Sequence, residues 1–195
     1  MTSIKILLLL SSFFIVLISC NETKTPTTET KEETTNRRTE VAPTEEVTKE
    51  IPLTIFQNSF LTISPGDQVE EHKAVIEKGL LQTGEGDFDI YNIKDAKNDV
   101  VAYFLANPID NELIGDIYIT SPLAKTEDGI GIGHTFGDLL AKYPNLEVHG
   151  SEIEAQTFAN QGNLSFKIDE PHSTYDLETS AISKEAKIIE IIIVR

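Results

Sequence analysis

Apolar residues recur with a helical period in one stretch of the chain and alternate in several others. Between residues 129 and 144 (GIGIGHTFGDLLAKYP), Phe136, Leu139, Leu140 and Tyr143 fall at i, i+3, i+4 and i+7, one stripe of a 3.6-residue period. The pattern predicts an extended run at 129–132, a glycine turn at Gly133 and a helix over 135–143 capped by Thr135. Asp138 completes a Thr-x-x-Asp variant of the capping box and sets a negative charge at the positive end of the helix. Pro144 ends the helix because it cannot continue the hydrogen-bond ladder. Residues 60–79 follow the same grammar. An extended piece at 60–63 leads through Ser64-Pro65-Gly66 to Asp67, a cap with Glu70 three residues on. Val69, His72 and Ile76 mark the inner stripe of this second helix, and Gly79 supplies its left-handed C-terminal residue.

The other apolar stretches read as strands. Residues 88–93 alternate, and VVAYFLA at 100–106 is apolar on both faces, as in a central strand. Leu113, Gly115, Ile117 and Ile119 point one way while Asp116, Tyr118 and Thr120 point the other. LSFKI at 164–168 alternates, and KIIEIIIVR at 187–195 reads as a buried β-branched strand. Residues 63–66 match 130–133, 87–93 match 163–168, and 113–120 match 188–194. Identities are few, so the repeat is one of architecture, and duplication of a strand–helix–strands unit stands open. The fold class predicted is α+β, an antiparallel sheet with two helices on one face.

The first 50 residues differ in kind. Lys5 precedes 13 apolar or small residues at 6–18, an n-region and h-region too short to span a bilayer as a helix. The run closes on Leu17-Ile18-Ser19-Cys20, which resembles a bacterial lipobox. That resemblance implies a signal peptide at 1–19 and a lipid on Cys20, which becomes the first mature residue. Cys20 is the only cysteine, so lipidation would leave neither a disulfide nor a catalytic thiol. Acyl chains contribute about 0.8 kcal/mol per buried CH₂, which makes two or three of them a lasting anchor. Residues 21–50 hold ten threonines, two prolines and no aromatic residue. They cannot bury enough apolar surface to fold and read as a disordered tether. Residues 51–195 suit a single domain.

Charge narrows the partners. Residues 51–195 carry 24 acidic and 10 basic side chains, a net charge near −14. Nucleic acid and anionic head groups are repelled by such a field, whereas a cationic partner, or simply solubility, is favoured.

Residues able to carry chemistry are sparse and poorly spaced. Ser151 lacks the Gly-x-Ser-x-Gly elbow of a hydrolase nucleophile. His72, His134, His149 and His172 show no zinc spacing. Glu85, Asp87 and Asp89 have the alternation of a calcium loop, but the twelfth position is Ala96. The Gly129-Ile-Gly131-Ile-Gly133 run lacks the order and the lysine of a phosphate loop. No cofactor or metal is expected. Asp128, His134 and Asp138, clustered about the helix start, are the candidate binding residues.

Residues 114–121 (IGDIYITS), 128–139 (DGIGIGHTFGDL) and 187–195 together resemble an uncharacterised family of bacterial envelope lipoproteins, those of the RpoE-regulated type. In that type a strand leads through an acidic loop to a Gly-x-x-x-Gly-x-Thr-Phe/Pro-x-Asp-Leu helix. The similarity covers 60–195 and is strongest over 114–143. It implies a lipid anchor and an envelope location, with no catalytic residues to carry over. The expectation is a non-enzymatic lipoprotein on the outer membrane that binds a protein or envelope component. An inhibitor of a cationic enzyme such as a lysozyme is the first alternative, and an enzyme with a site near His134 the second.

Overall fold

Short glycine and asparagine turns separate the alternating stretches, and they fold the chain into hairpins. The computed structural model describes residues 52–195. Its elements run β1 (Thr54–Ile55), a 3₁₀ turn (Val69–His72), β2 (Ile76–Thr83), β3 (Gly86–Lys94), β4 (Val100–Ala106) and β5 (Ile114–Ile119). The second half runs β6 (Lys125–Thr126), α1 (Phe136–Lys142), β7 (Glu147–Gly150), β8 (Thr157–Gln161), β9 (Leu164–Ile168), a 3₁₀ turn (Thr179–Ala181) and β10 (Ile188–Ile193). β1 and β6 form a small parallel pair. The other eight strands form one antiparallel sheet in the order β2-β3-β4-β5-β10-β9-β8-β7. It consists of two four-stranded meanders, β2–β5 and β7–β10, joined where β5 pairs with β10.

The period-2 pattern decides which sheet face is buried. Across the strands, Ala102, Ile119, Ile191, Phe166 and Ala159 lie in one cross-strand row, and each is fully buried. Phe104, Ile117 and Ile193 extend the same face. Phe136 and Leu139 of α1 pack there, together with Phe60, Ile63, Ala124 and Ile130 from the connecting segments. Burying each large side chain stabilises by roughly 1.5–3 kcal/mol.

The α+β expectation with two helices is corrected: the fold is mainly β, with one short α-helix among the described residues. Helix 135–143 forms as α1, capped by Thr135 with both halves of its capping box made. The helix expected after Asp67 shrinks to the 3₁₀ turn Val69–His72, and Ile76 onward is strand. Two features override the local helix grammar. The Asp67 carboxylate accepts the Ser64 N–H at 2.8 Å and meets His72 Nε2 at 3.0 Å, so it closes a turn instead of capping a helix. The Gly84-Glu85 hairpin then pairs β2 with β3 over its whole eight-residue length. Gly79 sits mid-strand opposite Ile90, where an added Cβ would lie 2.6 Å from Asn92 Nδ2.

Two expected extended pieces also differ. Leu61 and Thr62 take positive φ of 49° and 69°, making a tight turn that pairs Phe60 with Ile63. Residues 129–132 form a loop in which Thr126 N–H bonds to the Ile130 carbonyl at 2.7 Å. The match of 87–93 with 163–168 does not hold in position. β3 lies next to an edge strand, whereas β9 lies beside the central β10.

Candidate functional site

The three residues singled out near α1 are held in structural work. Asp138 Oδ2 accepts the Thr135 N–H at 2.9 Å and its Oγ1–H at 2.8 Å, while the Asp138 N–H returns to Thr135 Oγ1 at 3.0 Å. The Thr135 N–H foremost, then its hydroxyl, holds the Asp138 carboxyl below the usual range. Asp128 Oδ2 accepts the Tyr143 hydroxyl at 2.9 Å, tying the acidic loop to the end of α1. Burial pushes the Tyr143 hydroxyl up in pKa. His134 acts through its backbone, donating to the Gly131 carbonyl at 3.1 Å and accepting the Ile188 N–H at 2.9 Å. The glycine run beside it is geometric. Gly129 and Gly133 take positive φ, and a Cβ on Gly131 would fall 2.5 Å from the Ala124 carbonyl oxygen.

The remaining residues considered for chemistry are dispersed. His72 faces Asp67, His172 Nδ1 lies 3.1 Å from Thr157 Oγ1, and His149 Nδ1 lies 3.3 Å from Asn160 Nδ2. Ser151 Oγ accepts the Glu154 N–H at 3.2 Å. Among the described residues no group of three or more His, Cys, Asp or Glu is placed to hold a metal ion. Cys20 lies outside the described residues.

Three other places gather polar and aromatic groups. The first is the sheet face turned away from the core. Tyr103 and Tyr118, cross-strand neighbours, stack at 4.9 Å and 6°. Tyr103 OH donates to Glu190 Oε1 at 3.4 Å. Burial raises the Glu190 carboxyl above its usual range, with Lys167 across the strand pulling it back. Burial likewise pushes both tyrosines up, aided by Glu190 at Tyr103 and by Asp116 at Tyr118. Sequence reading passed over this cluster, although the lone Glu190 within the isoleucine run of β10 is the signal that could have located it.

The second is a cleft of about 450 Å³ at the β7 edge, lined by Glu147, His149, Asn160, Tyr175, Asp176 and Glu178. The His149 ring lies 5.5 Å from that of Phe158 and 5.4 Å from that of Tyr175. The third is a groove of about 650 Å³ beside β2. Ile76, Lys78 and Tyr91 form its floor, and Val69, Glu70 and Glu112 line its walls. Tyr91 stacks on Phe104 at 5.0 Å, which fixes that floor to the core.

No family model matches this chain, and no curated protein matches it. Among solved structures, the crystal structure of the uncharacterized protein yfeY from Escherichia coli is a structural neighbour. It is 13% identical, covers 73% of this chain and 99% of that one, and superposes with a TM-score of 0.47.

Proposed function

We propose that this chain is a lipid-anchored module of the bacterial cell envelope, of the YfeY-like lipoprotein type. It is acylated at Cys20 in the outer membrane and binds a protein or envelope component without catalysing a reaction. The observation that carries this reading is Leu17-Ile18-Ser19-Cys20 closing a 13-residue apolar run, followed by a threonine-rich spacer. Such an order supports the reading of a folded unit carried on a membrane. Incorporation of an alkyne-tagged fatty acid into the native chain, lost in Cys20→Ala, is the expected result. Label retained by Cys20→Ala, or a native chain recovered unlabelled with its leader uncut, overturns the anchor.

A second reading, sequestration of a cationic enzyme such as a lysozyme, is favoured by the 24 acidic against 10 basic residues of 51–195. Inhibition of a basic lysozyme that weakens as salt is raised would support it. Undisturbed lysis at low salt would remove it.

A further inference from the structure

An edge strand has backbone groups to spare, and in β2 their identity follows from the register. The Lys94 N–H bonds to the Val75 carbonyl at 2.9 Å, and β2 runs antiparallel to β3 in unbroken register from Ile76–Ile93 to Thr83–Gly86. Hydrogen-bonded pairs alternate along such a ladder. Glu77, Gly79, Leu81 and Thr83 therefore bond to β3, while Ile76, Lys78, Leu80 and Gln82 aim their N–H and C=O groups outward. Among the described residues β2 has no strand on that side. The ladder between β3 and β4 begins at Tyr91, so the outer half of the β2–β3 hairpin reaches past β4. It carries Leu80 (54% exposed) and Phe88 (37% exposed).

The side chains of Ile76 and Lys78 lie on the groove side of the sheet, beside the 650 Å³ groove. Edge backbone groups and an adjoining groove are the two parts that strand-adding recognition sites use, the first for affinity and the second for alternate side chains. Charge selects among occupants. Lys73 and Lys94 are each held in an ion pair, with Glu70 and Glu77, and Lys78 lies 6.0 Å from the centre of the Tyr91 ring. Glu112 lines the groove, and Asp89 and Asp87, opposite Leu80 and Gln82, turn to the same face of the hairpin, whose tip carries Glu85. A second copy would bring an equally acidic hairpin to this edge, whereas a basic segment is attracted to it.

We propose that the outward edge of β2 takes an extended, basic segment of a partner protein as an added strand, whose groove-side positions are apolar against Ile76, Tyr91 and Val69 and basic further along, against Asp89 and Asp87. The proposal rests on reading the folded part as a binding module, and it names the partner's chemistry.

The test adds an octapeptide with valine, valine, lysine and lysine at successive alternate positions and threonine between them to the full chain in detergent, and reads amide hydrogen exchange. Exchange at Ile76, Lys78, Leu80 and Gln82 is expected to slow by about tenfold or more at saturation, as free edge amides gain partners. The valine–glutamate counterpart should leave it unchanged. Leu80→Pro removes one outward donor without touching the β3 ladder, and should cut peptide affinity at least about tenfold. Should that variant fail to fold, a peptide N-methylated along its pairing edge provides the same reading with the native protein. Overturning results are undiminished binding by Leu80→Pro or by the N-methylated peptide, and protection of the β2 amides that rises with protein concentration without peptide, which marks a second copy. No binding at millimolar peptide also overturns it. Protection confined to the β7 cleft overturns the β2 assignment while leaving the binding-module reading intact, and fatty-acid labelling reports on the anchor separately.

Discussion

The two meanders end differently at their outer edges. Along β7, the Gly150 N–H bonds to the Thr174 carbonyl at 3.0 Å, so a passing segment is tied to the end of that edge. Along β2 an eight-residue strand stands without a neighbour on its outer side among the described residues. A bare edge is a liability that proteins usually blunt with charge, a bulge or a covering segment. One edge of this sheet is short and tied at Gly150 to another segment of the chain, and the other is long and keeps its groups available beside a groove. Their difference separates the part that holds the fold from the part free to meet something else.

The largest test of that division contrasts two phenylalanines. Phe166, fully buried at the centre of the second meander, should lose about 3–5 kcal/mol on replacement by alanine. Phe88→Ala on the exposed hairpin should cost less than about 1 kcal/mol. Urea unfolding of both variants checks this, and equal losses would break the contrast. The next compares glycines at the two edges. A Cβ on Gly150 would lie 2.5 Å from the carbonyl oxygens of both His172 and Thr174, so Gly150→Ala should cost about 1–3 kcal/mol by prying off the segment tied there. Gly79→Ala meets the end of the Asn92 side chain, which can swing aside, and thermal unfolding should show a change below about 1 kcal/mol.

A third prediction lies between the meanders, at α1. Thr135→Ala removes the cap and should cost about 1 kcal/mol. The depressed Asp138 pKa means that the carboxylate's share of the capping box is present above the unfolded carboxyl value and lost as pH falls through the folded one. Stability measured against pH should therefore fall less on the acid side in Thr135→Ala. The smallest expected effect is a slope of opposite sign. Glu190 has a raised pKa in the folded state, so the native protein holds its proton longer and stability declines as pH rises from the unfolded value through the folded one. Glu190→Gln should flatten that decline in denaturant titrations across the carboxyl range, and an unchanged slope would show that the carboxyl is solvated.

Much of the sheet was legible because a two-residue period is a direct imprint of a half-buried strand. β4 lies at 100–106 as its apolar run indicated, and β5 alternates as Ile117 and Ile119 against Tyr118 required. The capping box of α1 was readable for a similar reason, since it closes within four residues. β2 was not. Asp67, Glu70 and Gly79 spell a helix locally, and only pairing with β3, a contact outside that window, overrides it. β7 and β8 escaped because EVHG and TFANQ are short and mix polar with apolar residues. Of the site, Asp128 and Asp138 were visible as charged residues at a turn and a cap, but their partners Tyr143 and Thr135 give them structural roles. The groove beside β2 draws on residues from 68 to 112, and nothing in sequence spacing reports such a convergence.

The position of β10 has a consequence in time. It follows every other strand of the sheet in sequence yet sits between β5 and β9, so the two halves of the sheet cannot join until it arrives. Ile191 meets Ile119 and Ile193 meets Ile117 across long loops, contacts whose closure entropy slows assembly. A chain still emerging at residue 185 would therefore hold two unzipped halves, and the final isoleucine run acts as the fastener that commits them.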